Sequence, residues 1–286
     1  MNGGRGGKLR IIEVFPPSFS VDPGREPPGG LGPKVGDFLA RVRKVEGLAD
    51  AFLVADIADP SRVRLSTVHT ARLLHDELGV RSIPVITARD GNRQAVRTSI
   101  LTSFASDLDE VMLVWGDRYA GKGDPANVYD FTGLANLIRD AGEMASRMGV
   151  KASFLAPVNL STLGSAEGAR LASGRVKAGA ELLLAQPPTT DSRHAIGTHL
   201  RIINESGVGK LVLPNIFPFR DLDDISSCQA RFGWKLPRRL KKLAAGGEAS
   251  LLKEARRVAE YLMDERVAGM YVSTRGRPEL ARFILD

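Results

Sequence analysis

The sequence repeats one unit, a short apolar segment followed by a helical segment, and this repetition restricts the chain to few folds. The apolar segments are rich in β-branched residues and are apolar throughout, which is typical of strands buried on both faces. They lie at residues 9–14, 51–55, 82–86, 111–115, 152–155, 181–185, 210–213 and 269–272. The helical patterns lie at residues 35–45, 65–78, 94–106, 131–148, 166–178, 194–205, 221–265 and 278–284.

Eight strands that alternate with eight helices predict an α/β protein with a parallel sheet. The closed form of this sheet is the (β/α)₈ or TIM barrel, and 286 residues suit a single catalytic domain spanning residues 1–286. An open, doubly wound sheet is the alternative, but it would place Gly-x-Gly-x-x-Gly after the first strand, where Pro16-Pro17 stands. The Pro- and Gly-rich loop at residues 16–36 is either a lid or a flexible connection.

Composition excludes several classes of function. A single cysteine, Cys228, rules out an internal disulfide and a multi-thiolate metal site, and four scattered histidines give no metal cluster, so we expect no metal. The net charge is +7, but 40 basic and 33 acidic residues are interspersed, which favours small anionic ligands over nucleic acid. Neither a signal-peptide core nor an apolar run of membrane-spanning length is present, so we expect a cytoplasmic protein that binds no membrane.

Glu13 places a carboxylate inside the first apolar segment, which two prolines then end. It is either a glutamate on the solvent face of an edge strand, where a charge deters aggregation, or a functional acid. In a (β/α)₈ barrel the chemistry lies at the carboxyl ends of the strands, and Glu13 falls at that end of the first one.

The remaining strand ends also carry polar residues. They are Asp56 and Asp59, the segment from Thr87 to Arg93, Gly116 with Asp117, Asn159, Gln186, Asn215, and Thr274 with Arg275. Many have ordinary structural explanations, with Asp59, Asn159 and Asn215 as turn residues, Asp90 or Asn92 as a helix cap, and Arg275 as a solvated end. Asp117 and Gln186 are harder to explain that way, because each directly ends or follows an apolar strand, as Glu13 does.

A succession of short motifs resembles the methylenetetrahydrofolate reductase family. The motifs are Glu13-Val14-Phe15-Pro16-Pro17, Thr87-Ala88-Arg89-Asp90, Gly116-Asp117, Tyr129, Ala178-Gly179-Ala180 ahead of Gln186, Gly233-Trp234-Lys235-Leu236-Pro237 and Tyr271-Val272-Ser273-Thr274. Each is weak alone, but their order covers nearly the whole chain. The resemblance implies a TIM barrel oxidoreductase of one-carbon metabolism and methionine biosynthesis, which reduces methylenetetrahydrofolate with NADH or NADPH, usually through noncovalent FAD.

The resemblance also implies roles for individual residues. Glu13 would be the general acid that opens the folate ring, with a pKa raised by its enclosed position. Asp117 would act beside the flavin and bind the pterin, and Gln186 would bind the pterin edge. Contacts to the cofactor are implied at Thr87, Arg89, Trp115, Gly116, Tyr129 and Arg175.

Several positions depart from the family pattern on the flavin side. Val85 and Trp115 stand where relatives carry histidine and arginine, and Arg175 stands where relatives carry lysine. The second strand end, Val54-Ala55-Asp56-Ile57, is altered as well. Either Arg89, Asp56 or Lys122 holds FAD in a rearranged site, or hydride passes directly from the nicotinamide to the folate.

The sequence is also compatible with functions of a different class. The chain could be a non-catalytic partner subunit that binds folate, although simple binding needs no buried acid such as Glu13. An unrelated barrel lyase would be expected to carry a Schiff-base lysine at a strand end, and the sequence places none there. The sequence does not distinguish tetrahydrofolate from a tetrahydromethanopterin-type carrier, NADH from NADPH, or a monomer from a homo-oligomer.

Overall fold

The computed structural model describes residues 8–22, 30–119, 128–186, 193–232, 236, 238–264 and 267–286. Its main sheet consists of β1 (Leu9–Val14), β3 (Ala51–Val54), β5 (Ser82–Thr87), β6 (Glu110–Val114), β7 (Ser153–Asn159), β8 (Ala180–Gln186), β9 (Val212–Leu213), β10 (Asn215–Ile216) and β11 (Gly269–Ser273). The strand order is β10-β11-β1-β3-β5-β6-β7-β8-β9, and each pairing is parallel.

The main sheet closes into a barrel at its seventh strand position. There β9 pairs with β8, β10 pairs with β11, and only Pro214 separates β9 from β10. Proline has no N–H to give to a neighbouring strand, so it divides this position into two short segments. Its carbonyl still accepts a 3.0 Å hydrogen bond from the Tyr271 N–H. The prediction of an α/β TIM barrel is therefore confirmed, and the open-sheet alternative is excluded.

Helices follow the barrel strands. They are α1 (Leu31–Arg43), α2 (Thr67–Leu78), α3 (Arg93–Ala105), α4 (Leu134–Arg147), α5 (Leu160–Leu163), α6 (Ala166–Lys177), α7 (Arg193–Glu205), α8 (Leu222–Phe232), α9 (Arg238–Ala244), α10 (Gly247–Asp264) and α11 (Leu280–Leu285). The long helical pattern predicted at residues 221–265 thus forms the three helices α8, α9 and α10. The short helix α5 has no counterpart among the predicted segments.

Two boundaries differ from the sequence prediction because of prolines. Strand β7 continues four residues past the predicted end at residue 155, since Pro157 remains paired with Leu184 of β8. Helix α1 begins at Leu31 rather than at residue 35, because Pro33 is tolerated in the first turn of a helix. In this chain, a proline is therefore a weak signal for the end of a strand or helix.

The predicted loop at residues 16–36 contains regular structure. Strand β2 (Ser18–Ser20) pairs antiparallel with β4 (Arg62–Arg64), and together they form a small separate sheet. Residues 23–29 of this segment lie outside the described part of the chain. The lid and the flexible connection both stay predictions.

Apolar side chains form two layers, one on each side of the barrel strands. The inner layer contains only strand residues, namely Ile11, Ala51, Leu53, Ile83, Val85, Met112, Leu155, Leu184, Leu213 and Tyr271. The outer layer joins alternate strand residues such as Ile12 and Phe52 to helix residues such as Phe38 and Leu74. Because side chains alternate along a strand, this inner layer identifies the residues that point into the barrel.

The same alternation places four polar side chains and one alanine above the inner layer. Two residues after Ile11 comes Glu13, and the equivalent steps from Leu53, Val85, Leu184 and Tyr271 reach Ala55, Thr87, Gln186 and Ser273. These five residues lie at the carboxyl ends of their strands, so they form the next level of the barrel interior.

Among the residues that the structure describes, none of the helices combines the length and the apolar character needed to span a membrane.

Candidate functional site

A central cleft opens at the carboxyl ends of the barrel strands. It consists of two adjoining cavities of about 200 and 280 Å³, a size suited to a small-molecule ligand. Both cavities are lined by Glu13, Ala55, Asp56, Ala58, Asp117 and Gln186. Because these residues are shared, we treat the two cavities as one site and call it the central cleft.

Glu13 lies inside the central cleft, between β11 and β3 in the sheet. It is aligned with Ser273 on one side and Leu53 on the other. Burial raises the pKa of Glu13 from 4.5 to about 7, although a hydrogen bond with the Ser273 side chain and the charge of Arg275 act to lower it. A carboxyl group with this pKa is partly protonated at neutral pH, so it can donate a proton or a hydrogen bond.

Asp117 and Gln186 reach the cleft from its rim. Asp117 follows β6, Gln186 ends β8, and both are exposed to solvent. The Gln186 amide forms a hydrogen bond with the buried Tyr271 hydroxyl, and its exposed part, like the Asp117 carboxylate, is accessible to a ligand. Three of the residues predicted for the substrate, Glu13, Asp117 and Gln186, are thus brought to one cleft.

A buried arginine organises one wall of the cleft. The Arg89 side chain is only 2% exposed and forms ion pairs with Asp56 at 3.1 Å and Asp90 at 2.8 Å. It also donates a 2.8 Å hydrogen bond to the main-chain carbonyl of Asp117. The Thr87 hydroxyl donates to the same Asp56 carboxylate. These contacts join the ends of β3, β5 and β6. They also mean that the Thr87 hydroxyl and the Arg89 guanidinium donate to acceptors of the protein itself.

Trp115 and Tyr129 form a stacked aromatic pair next to this wall. Their ring centroids are 4.9 Å apart with the planes 8° from parallel, and the Tyr129 hydroxyl donates a 3.1 Å hydrogen bond to the carbonyl of Gly116. Gly116 has φ 87°, and a Cβ there would lie 2.3 Å from Cγ2 of Thr87. Only glycine fits at this close approach of two strand ends.

Two of the residues predicted to contact a cofactor do not line the central cleft. Tyr129 reaches it only through Trp115 and Gly116, and Arg175 donates a hydrogen bond to the carbonyl of Pro157, which does line it. Burial lowers the pKa of the Arg175 guanidinium. The other four, Thr87, Arg89, Trp115 and Gly116, all line the cleft.

Several strand-end residues have ordinary structural roles. Asn92 caps α3 by accepting a 2.9 Å hydrogen bond from the Ala95 N–H, and Asp59 accepts a 3.1 Å bond from the Ser61 N–H in a turn. Asp90 has φ 70° and pairs with Arg89. Arg275, in contrast, lines the cleft and is not a solvated chain end.

Sequence reasoning missed the residues that α8 and its preceding loop bring to the cleft. These are Phe217, Ser227 and Cys228. Cys228 is buried and its thiol forms no disulfide, and no local pattern indicates that it lies in the same cleft as Glu13. Phe217 and Ser273 could have been predicted to face the cleft. Each lies two residues after an inward-facing position of its strand, and side chains alternate along a strand.

Comparisons with known proteins find the fold in solved structures. No protein-family model and no curated protein matches the sequence. An uncharacterised protein from Clostridium thermocellum, described as binding two copies of 5-methyl-5,6,7,8-tetrahydrofolic acid, matches with TM-score 0.59 and 11% identity over 96% of this chain and 94% of that one. A 2,3-dimethylmalate lyase of the PEP mutase/isocitrate lyase superfamily matches with TM-score 0.53 and 13% identity over 96% and 76%. At these identities the likeness shows the fold alone.

The prediction that this chain is a methylenetetrahydrofolate reductase is wrong as an enzyme assignment. The similar structures are described as a folate-binding protein and a lyase, and no reductase family matches. Oxidoreductase activity and a place in methionine biosynthesis therefore rest on the motif resemblance alone. The motifs misled because polar residues recur at strand ends of any barrel that binds a ligand there. The Gly233 to Pro237 motif and Lys122 lie outside the described residues, apart from Leu236.

Proposed function

We propose that the protein binds a reduced folate, or a related reduced pterin, in the central cleft, with Glu13 as a proton or hydrogen-bond donor to the ring. The observation that carries the proposal is that Glu13, Asp117 and Gln186 line the same cleft. This set combines a carboxyl group that is partly protonated near neutrality with two exposed polar groups at the rim.

The chemistry of a pterin ring fits these groups. Its amino and ring N–H groups are donors, which the Asp117 carboxylate can accept, and the Gln186 amide can both donate and accept along the same edge. The ring nitrogens of a reduced pterin accept a proton, and protonated Glu13 can supply one. Phe15 and Phe217 provide aromatic surface in the cleft, and Arg275 provides a cation for an anionic part of the ligand.

The choice of ligand has support from a neighbour with the same fold. The Clostridium thermocellum protein is described as binding 5-methyl-5,6,7,8-tetrahydrofolic acid, and it covers nearly the whole of this chain. That description belongs to the neighbour. It makes 5-methyltetrahydrofolate the first compound to test here.

Calorimetric titration with 5-methyltetrahydrofolate tests the proposal. We expect a Kd tighter than about 100 µM, which corresponds to about 5.5 kcal/mol of binding free energy. Asp117→Ala and Gln186→Ala should each weaken binding by about tenfold, because each removes a hydrogen-bonding group from the ligand edge. Asp223→Ala is the matched control, since Asp223 is exposed and lies outside the cleft lining. No binding by the wild type, or equal binding by all four proteins, would reject the proposal.

The role of Glu13 is tested by the pH dependence of binding. If the protonated carboxyl donates to the ligand, affinity should fall as the pH rises through about 7, where the folded protein loses this proton. Glu13→Gln keeps a donor at all pH values, so its affinity should not fall in that range. A wild-type affinity that is independent of pH would show that Glu13 does not act as the donor.

The cofactors implied by the resemblance, FAD and NADH or NADPH, stay predictions. Thr87 and Arg89, expected to contact a flavin, are hydrogen-bonded to Asp56 and Asp90 instead, and Trp115 is stacked on Tyr129. These residues therefore fit a flavin poorly as they stand. A visible spectrum of the purified protein decides the matter, because bound flavin absorbs visible light and a colourless protein would remove the FAD prediction.

The residues that line the central cleft argue against a Schiff-base mechanism. Among the described residues, the central cleft is lined by arginines but by no lysine. A Schiff base with a carbonyl substrate requires a lysine amine in the site. We therefore do not propose a lysine-dependent lyase.

A further inference from the structure

Asp224 is a carboxylate that the barrel buries beside the central cleft. It lies in the first turn of α8, and its side chain is only 1% exposed. Burying a carboxylate costs several kcal/mol unless charged or hydrogen-bonded partners offset the loss of water. A buried acid that does not line the cleft therefore needs an explanation in terms of its partners.

The main partner of Asp224 is Arg275. The Arg275 guanidinium forms a close ion pair with Oδ1 of Asp224, and its own side chain is 28% exposed. Asp224 also accepts a 3.1 Å hydrogen bond from the main-chain N–H of Arg220, which fixes the carboxylate at the start of α8. The Arg220 guanidinium is 3.8 Å away and half exposed, so it contributes less. The principal charged partner of the Asp224 carboxylate is therefore Arg275.

Arg275 is held in an uncommon conformation by this environment. Its φ is 56°, in the left-handed region that costs an ordinary side chain about 1–2 kcal/mol. The guanidinium lies 5.1 Å from the centre of the Phe217 ring, and both residues line the cleft with Glu13. The next residue, Gly276, has φ 77°. The turn and the ion pair together keep the cation at the cleft wall.

We propose that Asp224 is a positioning residue of the site, which holds the Arg275 guanidinium at the cleft wall near Glu13 and neutralises much of its charge. This inference rests on the proposed function, because Arg275 lines the cleft in which the ligand is proposed to bind. The contacts that carry it are the ion pair, the burial of Asp224 and the stacking of Arg275 on Phe217.

The charges of Asp224 and Arg275 should act on Glu13 with opposite signs. Arg275 already acts to lower the pKa of Glu13, against the larger effect of burial. If Asp224 lost its charge while Arg275 stayed in place, the positive charge of Arg275 would no longer be offset, and the pKa of Glu13 would fall. The other titratable or charged groups that line the cleft around Glu13 are Asp56, Arg89, Asp117, Cys228 and Tyr271.

Asp224→Asn tests this, since an amide oxygen can still accept from Arg275 and from the Arg220 N–H. The readout is the Glu13 carboxyl titration in the ligand-free protein, followed by carbon NMR of labelled glutamate and assigned with Glu13→Gln. We expect the pKa of Glu13 to fall by about half a unit or more in Asp224→Asn. The control is Asp223→Asn, an exposed neighbour on the same helix turn, which should leave it unchanged.

A second substitution separates positioning from a direct effect of charge. Asp224→Ala removes the acceptor as well as the charge, so the Arg275 guanidinium is no longer held at the cleft wall. It should lower the pKa of Glu13 by less than Asp224→Asn does, and in an Arg275→Gln background the two substitutions should have equal effects. Equal effects in the wild-type background, or no fall in Asp224→Asn, would overturn the proposal. If Asp224→Asn does not fold, Asp224→Ser takes its place, since a hydroxyl is also an uncharged acceptor. The titration needs no ligand, so failure of folate binding would be distinguishable from failure of this inference.

Discussion

The Thr274 hydroxyl donates a 2.6 Å hydrogen bond to the main-chain carbonyl of Glu13. The two residues are 261 positions apart in sequence, and they lie at the ends of the neighbouring strands β11 and β1. The bond fixes the backbone of the acid to the last strand of the barrel. The position of Glu13 in the cleft therefore depends on the closure of the whole sheet.

Glu13→Gln is expected to make the ligand-free protein more stable at alkaline pH. Burial raises the pKa of Glu13 to about 7 in the folded state from an ordinary 4.5, so the folded state binds more protons between these values. The stability contributed by Glu13 is therefore fully present below about pH 4.5 and is lost as the pH rises through about 7. The difference corresponds to at most about 3 kcal/mol.

Urea unfolding of wild type and Glu13→Gln at several pH values measures this. The variant should become progressively more stable than the wild type from acid to alkaline conditions. A variant that is less stable than the wild type above about pH 8, on the order of 1 kcal/mol or more, would contradict the conclusion that burial outweighs Ser273 and Arg275 at this carboxylate.

Gly116→Ala should strongly destabilise the protein and distort the cleft. Its Cβ would lie 2.3 Å from Cγ2 of Thr87 and 3.0 Å from Cβ of Arg89, in addition to the cost of φ 87°. We expect a loss of about 3 kcal/mol or more. Gly149→Ala is the matched control, because Gly149 has φ 68° and a Cβ added there would enter open space. It should cost only about 1 kcal/mol in the same denaturant assay. Similar losses for the two variants would mean that the close approach at Gly116 is unimportant.

Arg89→Gln should be far more damaging than Arg256→Gln. The Arg89 side chain is only 2% exposed, and its removal breaks the contacts to Asp56 and Asp90. A hydrogen bond to a charged group contributes about 1.5–3 kcal/mol, and the two carboxylates are themselves partly solvated, so we expect a loss of about 3 kcal/mol. Arg256 forms an ion pair with Glu260 in which the side chains are 46% and 61% exposed, so we expect a loss below about 1 kcal/mol. Chemical denaturation of both variants makes the comparison, and equal losses would refute the structural role assigned to Arg89.

His199 should make the protein less stable in acid. Burial lowers the pKa of His199 below its ordinary 6.5, and its Nδ1 is buried with no hydrogen-bond partner among the described residues. The unfolded state is then protonated first, so stability is present above about pH 6.5 and is lost as the pH falls below it. His199→Gln should reduce this loss between neutral and acid pH in thermal unfolding. His75→Gln, at an exposed position, serves as the control and should behave like the wild type.

Much of the barrel could be predicted from local patterns. The segment at residues 9–14 is a strand with the predicted bounds, and the bounds of the other strands differ from the predicted ones by only a few residues, except for β7. Strands that are apolar throughout can be recognised from the sequence because burial on both faces excludes polar residues from them. The polar residue that ends such a strand, as Glu13 and Gln186 do, is for the same reason visible without a structure.

The residues that surround the acid could not be predicted, because they depend on how distant elements meet. Ser227 and Cys228 reach the cleft only because α8 lies across the end of the barrel, and Asp224 is paired with Arg275 across 51 residues of sequence. The motif resemblance concerns strand ends one at a time and carries no information about these contacts. It therefore indicated a site at the barrel mouth but assigned the wrong enzyme.

The sequence by itself determined that the chain alternates strands and helices, and that an acid and two amide or carboxylate side chains end up at strand ends. The tertiary structure decided that the sheet closes, at Pro214, and that Glu13 is enclosed enough for burial to raise its pKa to about 7. The physical reason is that a pKa depends on the solvent and charges within a few ångströms. Ser273 and Arg275, which act on Glu13, come within that distance only when the first and last strands pair.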